Sequence, residues 1–282
     1  MLSIRTNMAS VYAQRNMNNA SNQLNDNFAK LSSGYRITKA SDDAAGIGVS
    51  TNLRSQVASY KMAARNAQDA VSVIQTSESA LNESAAIVTR LRELTVQAAS
   101  DGLGSTERKY LAKEVNALSS ELGRISKTTE FNNRKLLSGD STLQFQVGIR
   151  GDATNDVIKV EMKGAGLSGL GMASTAAKFE SYATKTTAAT DYQGLLTELD
   201  NALNTISNNR ATLGATANRL QSAQNTLAIA MESAKQANSR IRDVDVAEES
   251  SKMSANQVLV QAGVSMLAQA NQSPLAALKL LG

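Results

Sequence analysis

The sequence predicts a mainly α fold: a long antiparallel helical rod or coiled-coil bundle with a small β-hairpin region and amphipathic terminal helices. Three observations predict it. The 282 residues include no Trp, only 4% aromatics and a single proline, so the rings that normally supply large buried areas are scarce and helix breakers are nearly absent. The 42% apolar content is dominated by Ala, Leu and Val, and Ala, Leu, Gln, Arg and Lys are strong helix formers that pack along narrow seams. Apolar residues also recur at alternating spacings of three and four over long stretches, the pattern of a helix seam.

The first seam runs through Leu53, Val57, Tyr60, Ala64, Ala67, Val71, Ile74, Leu81, Ala85 and Val88, broken only by Glu78. A helix from about residue 43 to residue 99 would be roughly 85 Å long at 1.5 Å per residue, too long for a small globule and suited to a rod. Asp101-Gly-Leu-Gly-Ser105 breaks the pattern and turns the chain back, and a further seam follows at Leu111, Val115, Leu118, Leu122 and Ile125. In the C-terminal half Leu199, Ile206, Leu213, Leu220, Leu227, Ala234 and Ile241 keep a strict seven-residue repeat, with Leu203, Ala217 and Met231 four residues after some of them.

Between these rods Thr142–Val147 and Val157–Met162 alternate polar and apolar residues around Gly151-Asp152 and Asn155-Asp156, which predicts a β-hairpin at about 141–163. Residues 164–190, rich in Gly, Ala, Ser and Thr, carry no period and read as a loop or small cap on the surface. The expected organisation is therefore 1–42 with 243–282 as terminal helices, 43–163 with 190–242 as a helical rod, and 164–189 as a short surface segment.

Both ends carry apolar stripes: Met17, Ala20, Leu24, Phe28 and Leu31 at one, and Met253, Leu259, Ala262, Val264, Met266 and Leu267 at the other. The chain's sparse core is a poor cover for them, so they are expected to stay mobile until a partner helix arrives. Met17, Leu24, Phe28, Leu31, Leu259, Val264 and Leu267 are the candidate self-association residues.

Several function classes are excluded. Without His or Cys the commonest general base, the usual zinc ligands and the thiolate nucleophile are missing, which argues against an enzyme and against a cofactor or metal site. Asp42-Asp43 after Ser41 reads as a capped helix start. The Gly34, Gly46 and Gly48 cluster lacks the strand and Gly-Lys-Ser/Thr of a phosphate loop and reads as a linker or close-packing element. The net charge of +4 is spread over Arg54, Lys61, Arg65, Arg90, Arg92, Arg108, Lys109 and Lys113, alternating with acids and amides. That is a solvated surface, not a nucleic-acid site. No apolar run is long enough for a membrane span or a secretory signal.

The termini carry a resemblance. Gln23-Leu-Asn-Asp-Asn-Phe-Ala-Lys-Leu-Ser-Ser-Gly-Tyr-Arg36, followed by Ile37, Ala40 and Asp42-Asp43-Ala-Ala-Gly46, resembles the N-terminal signature of bacterial flagellins. Arg240-Ile-Arg-Asp-Val-Asp-Val-Ala-Glu248, Gln261–Gln272 and Leu278-Lys-Leu-Leu-Gly282 are similar to the C-terminal one. The resemblance covers about 1–163 and 190–282 and marks a short form without large outer domains. It implies a subunit that polymerises into the extracellular flagellar filament, with paired terminal helices forming an inner tube and the long central helices an outer one. It implies type III export without a signal peptide, an export chaperone on the C-terminal segment, and filament-cap and hook-associated partners. Arg90-Leu-Arg-Glu-Leu-Thr-Val-Gln97 and Glu114 resemble the segment read by the host Toll-like receptor for flagellin, which makes Arg90, Leu94 and Glu114 candidate recognition residues. A hook-filament junction protein with related termini is the nearest rival, and an intracellular helical scaffold the rival from another class.

Overall fold

The structure, a computed structural model, describes residues 7–152, 154–184 and 189–279. Along the chain come α1 (Met8–Ser33), α2 (Ala44–Ala98), α3 (Ser105–Thr128), strands β1 (Glu130–Phe131) and β2 (Arg134–Lys135), strands β3 (Ser141–Gln146) and β4 (Val157–Met162), α4 (Thr175–Ala183), α5 (Ala189–Arg242) and α6 (Val246–Lys279). The contacts divide it into two units, Met1–Val57 with Glu232–Gly282 and Ala58–Met231.

In the second unit the core lines one stripe of α2: Ala63, Ala67, Ala70, Ile74, Ser77, Leu81, Ser84, Val88, Leu91, Thr95 and Ala98, all nearly inaccessible. The stripe is continuous. Glu78, the apparent break, lies beside the seam and faces Arg210 at 3.8 Å, while Ser77 fills the buried position. The Ser77, Ser84 and Thr95 hydroxyls donate to the carbonyls of Val73, Ala80 and Leu91 one turn back, which satisfies them inside the core. On α5 the seven-residue repeat is buried from Leu199 to Ala234, with Ile241 half-buried at its end and Ala202 and Thr216 filling intervening positions.

The α2–α3 corner is held by an arginine. Arg108, only 4% exposed, donates from Nε to the Ala98 carbonyl at 3.2 Å and from Nη2 to the Ser100 carbonyl at 3.1 Å. A cation on the last carbonyls of a helix satisfies orphan acceptors and complements the negative end of its dipole. The reading of Arg108 as a solvated surface charge is thus corrected: its guanidinium terminates α2 from inside. Replacing it by Met keeps much of the aliphatic volume but removes both charge-assisted bonds. Urea unfolding of Arg108→Met is expected to show a loss of about 2–4 kcal/mol.

Two antiparallel hairpins cover the core. In β3–β4 Leu143 pairs with Val160 and Phe145 with Ile158, and the inward-facing Leu143, Ile158, Val160 and Met162 are buried. The shorter β1–β2 hairpin, absent from the sequence reading, turns on Asn132 and Asn133, both left-handed at φ 48° and 62°. Asn tolerates that conformation better than most residues, and two such residues in succession make the tight turn that matches strand twist.

Within 164–190, read from the sequence as a loop or small cap, the structure has a short helix and buried side chains. Thr175–Ala183 forms α4, and Ala165, Leu170, Met172, Phe179 and Ala183 are buried. Tyr192 at the start of α5 receives Phe179 and Tyr182 edge-on, at ring-centroid distances of 5.1 and 5.9 Å. Three of the chain's six Tyr and four Phe meet in this one cluster.

Candidate assembly interface

Two antiparallel helices build the site. Asn7 caps α1 by accepting from the Ser10 amide at 3.2 Å and donates to the Ala270 carbonyl at 2.8 Å. Near the other end of α1, Lys30 lies 3.9 Å from Glu249 in the first turn of α6. Asp245 opens α6 by accepting from the Ala247 and Glu248 amides, and Gly34 closes α1 at φ 73°, donating to the Lys30 carbonyl.

The inward faces alternate by three and four residues. On α1 they are Ser10, Ala13, Met17, Ala20, Leu24, Asn27 and Leu31; on α6 they are Glu249, Met253, Asn256, Val260, Gly263, Leu267 and Ala270. Small residues let the helices approach closely. A Cβ placed on Gly263 would stand 3.2 Å from the Met17 Cβ, so glycine there exchanges helix propensity for proximity.

Polar residues interrupt this seam at one level. Asn27 and Glu249 are 6% and 4% exposed. With its amide nitrogen turned toward acceptors, Asn27 donates to Glu249 Oε1 and to the Gln23 carbonyl, both at 3.0 Å, and accepts from Asn256 Nδ2 at 3.1 Å. Lys30 and Lys252 approach the same carboxylate at 3.9 Å.

The segments that join these helices to α2 and α5 meet as well. Arg36 donates from its amide to the Arg242 carbonyl at 2.7 Å and from Nη2 to the Ile241 carbonyl at 2.6 Å. The Val244 amide donates to the Gly34 carbonyl at 3.0 Å, and the Arg242 guanidinium lies 4.4 Å from the centre of the Tyr35 ring. At the start of α2, Asp43 accepts from the Gly46 amide at 2.8 Å. A Cβ on Gly46 would meet Asp43 Oδ2 at 2.4 Å and Ile37 Cδ1 at 2.9 Å, so Gly46 serves close packing.

Asp42 Oδ2 accepts from the Lys39 amide at 2.9 Å and from the Thr38 amide and hydroxyl at 3.0 Å. These bonds, the Lys39 amide first, hold its carboxyl below its ordinary value of 3.8. A depressed carboxylate contributes stability above its unfolded pKa and loses it as pH falls through the folded one. Protection of the Thr38 and Lys39 amides from hydrogen exchange is expected to persist through pH 3.8 and fail only at lower pH. Asp42→Asn should weaken that protection at neutral pH.

With the seam covered, apolar side chains remain on the outside of both helices. Met8, Val11, Tyr12 and Phe28 on α1, and Val246, Val258, Leu259, Val264 and Met266 on α6, are each more than half exposed. An α6 that is apolar on its seam and beyond it calls for burial on several sides. Bringing these nine side chains from half exposure to contact would contribute roughly 10 kcal/mol per chain before the costs of association.

The predicted self-association residues therefore separate into two sets. Met17, Leu24, Leu31 and Leu267 lie half-buried in the α1–α6 seam, and Phe28, Leu259 and Val264 face outward. The N-terminal stripe mixed two faces because Phe28 follows the true seam residue, Asn27, by one position. Met8, Val11 and Tyr12 were missed; a second apolar arc at i and i+3 or i+4 beside the first was the available signal. The partner helix that each terminal stripe was expected to need is the other terminal helix, since the seam faces cover each other within the chain.

On α2 and α3, Arg90 donates from Nε and Nη2 to Glu114 Oε1 at 3.0 and 2.8 Å, and from Nη1 to Glu93 at 3.1 Å. Leu94 is 1% exposed, a core side chain that cannot itself present a surface to a receptor. Of the three candidate recognition residues, Arg90 and Glu114 lie at the surface and Leu94 in the core. Among the described residues no helix is long and apolar enough to cross a membrane.

Residues 4–142 match the bacterial flagellin N-terminal helical region and residues 196–281 the bacterial flagellin C-terminal helical region. The chain is 39% identical to the flagellin of Bacillus subtilis and 38% identical to that of Halalkalibacterium halodurans, in each case over 99% of both chains. It is 36% identical to the flagellar filament 33 kDa core protein of Treponema phagedenis, again over 99% of both. A solved structure described as a flagellar hook-associated protein from Vibrio parahaemolyticus overlays 72% of this chain and all of its own length at a TM-score of 0.60. At 12% identity that likeness speaks for the fold alone, and the full-length sequence identity lies with the flagellins. Signatures at both ends, a fold of long helices that brings those signatures together, and relatives matched from end to end all agree: the chain belongs to the bacterial flagellin family.

Proposed function

We propose that this chain, a structural subunit of the bacterial flagellar filament, polymerises through the outward apolar faces of α1 and α6. The observation that carries the reading is the set of exposed large side chains on two helices whose seam faces are already covered by each other. A face that fits a different face on the next copy, repeated by a rotation that does not close, generates an open helical polymer. Residues 1–42 with 243–282 supply the inner tube, 43–163 with 190–242 the outer tube, and 164–189 lies toward the surface.

The same reading makes the chain an exported, non-enzymatic protein. Its C-terminal segment, a helix with apolar side chains on its seam and beyond it, is a suitable ligand for an export chaperone that binds helices in an apolar groove. Filament-cap and hook-associated proteins meet the ends of the polymer. Arg90 and Glu114 form the part of the α2–α3 surface offered to the Toll-like receptor for flagellin, with Leu94 holding the helices beneath them.

Electron microscopy of heat-depolymerised, cooled and seeded chains tests the proposal, beside a chain lacking 1–40 and 245–282. Long tubes from the full chain and none from the truncated one are the expected pair of results. Tubes from both would remove assembly from the terminal helices.

A further inference from the structure

We propose that Met266 and Met8 are oxidation-sensitive sites through which a hydroperoxide stops subunit addition; the inference rests on the assembly reading above. The chain has no Cys, no Trp and no His but nine Met, so thioethers are its softest nucleophiles. Their exposures differ sharply. Met162 and Met172 are each 1% exposed, whereas Met266, Met8 and Met62 are 64%, 53% and 49% exposed. Met17, Met231 and Met253 lie between. Reaction with peroxide requires access to sulfur, so the exposed set reacts first.

Two of these three lie on the candidate assembly faces. Met266 is on the outside of α6, one turn beyond Ala262 and two beyond Val258, with Leu259 seven residues before it; Met8 opens α1 near Val11 and Tyr12. Met62 is on α2 in the other unit. In the reaction the thioether sulfur attacks one peroxide oxygen, the O–O bond breaks and an S–O bond forms. Sulfur loses two electrons and hydrogen peroxide is reduced to water, with no net change in protons. The product is a polar, chiral side chain. In free subunits water solvates the new oxygen. On a face that becomes dry on assembly it loses that solvation, so addition is disfavoured while the free chain's fold is untouched.

The test uses full-length depolymerised protein treated with dilute hydrogen peroxide, with sulfoxide mapped by peptide mass spectrometry and growth followed on untreated seeds. Met266 and Met8 are expected to oxidise well before Met162 and Met172, and their oxidation to raise the critical concentration at least about tenfold. Methionine sulfoxide reductase should restore growth. The double variant Met8→Leu/Met266→Leu, close in volume to the original, is read against its own untreated growth, which peroxide should leave unchanged, while Met62→Leu should lose growth on treatment. Unimpaired growth of chains stoichiometrically oxidised at Met266 overturns the inference, as does loss of growth in the oxidised double variant. Leu259→Asp in the same assay separates the causes: if it blocks growth while Met266 oxidation does not, the oxidation site falls and the assembly faces stand. If it too grows, the assembly reading itself falls.

Discussion

Leu259→Asp and Val264→Asp subunits are expected to remain monomeric at concentrations where the unaltered chain forms filaments, with a critical concentration raised by about 100-fold or more. The two side chains are 56% exposed on α6, so a carboxylate at either position is solvated in the free chain. Helix content and urea midpoint should change little, since surface substitutions typically fall within about 0.5 kcal/mol. In the polymer the same carboxylate would be buried against apolar neighbours. An unpaired charge there costs several kcal/mol, and each 1.4 kcal/mol is about tenfold in association. Leu267→Asp provides the contrast. Leu267 belongs to the α1–α6 seam, so its loss should lower helix-pair stability and assembly together. Sedimentation of seeded growth, read beside circular dichroism of the unseeded chain, distinguishes the two behaviours. Val264→Asp subunits that elongate at the ordinary concentration would rule out the outward face of α6 as an interface.

The long helices were legible because periodicity survives even when individual seam positions do not look apolar. On α5 the seven-residue set from Leu199 to Ala234 is buried throughout. On α2 the spacing located the helix, but every second seam position was displaced by one, to Ala63, Ala70, Ser77 and Ser84 instead of Ala64, Val71, Glu78 and Ala85. Ser and Thr escape a hydrophobic pattern because their polarity is cancelled locally, by bonds to carbonyls one turn back. The helix and packing of the small cap around α4 were illegible for a different reason. Its small residues show no period, and its order comes from distant partners, above all Tyr192 packed against Phe179 and Tyr182. Arg108 could not be told from its surface neighbours by sequence, since its partners are backbone carbonyls.

The candidate interface was half legible. Stripes at both termini identified the helices but not which side of each was already occupied, because one chain's pattern does not separate an internal seam from an outer face. The discriminating residue is Asn27, a buried polar group within the true α1 stripe.

Its burial sets up the second large effect. Asn27→Leu is expected to destabilise the α1–α6 pair by about 3–5 kcal/mol, since it leaves the buried Glu249 carboxylate without its amide donor while Lys30 and Lys252 stay 3.9 Å away. Glu249→Leu alone should cost less, because the Asn27 amide keeps Asn256 and the Gln23 carbonyl as partners. Replacing both by Leu should recover most or all of the stability, as an apolar seam does when a buried polar pair is removed whole. What the double variant should lose is register. The seam alternates by three and four on both helices, so sliding one helix by seven residues rematches most positions, and the Asn27–Glu249–Asn256 level is the feature that penalises the slip. Amide exchange across 8–33 and 246–272 measures pair stability, and cysteine cross-linking introduced at Ser10 and Asn271, whose side chains are 3.2 Å apart at Ser10 Oγ and Asn271 Oδ1, reports register. A stable double variant with scrambled cross-links and poor seeded growth is the expected result. A stable one that cross-links and grows as the unaltered chain would show that shape alone sets the register, leaving the buried carboxylate without a role in it.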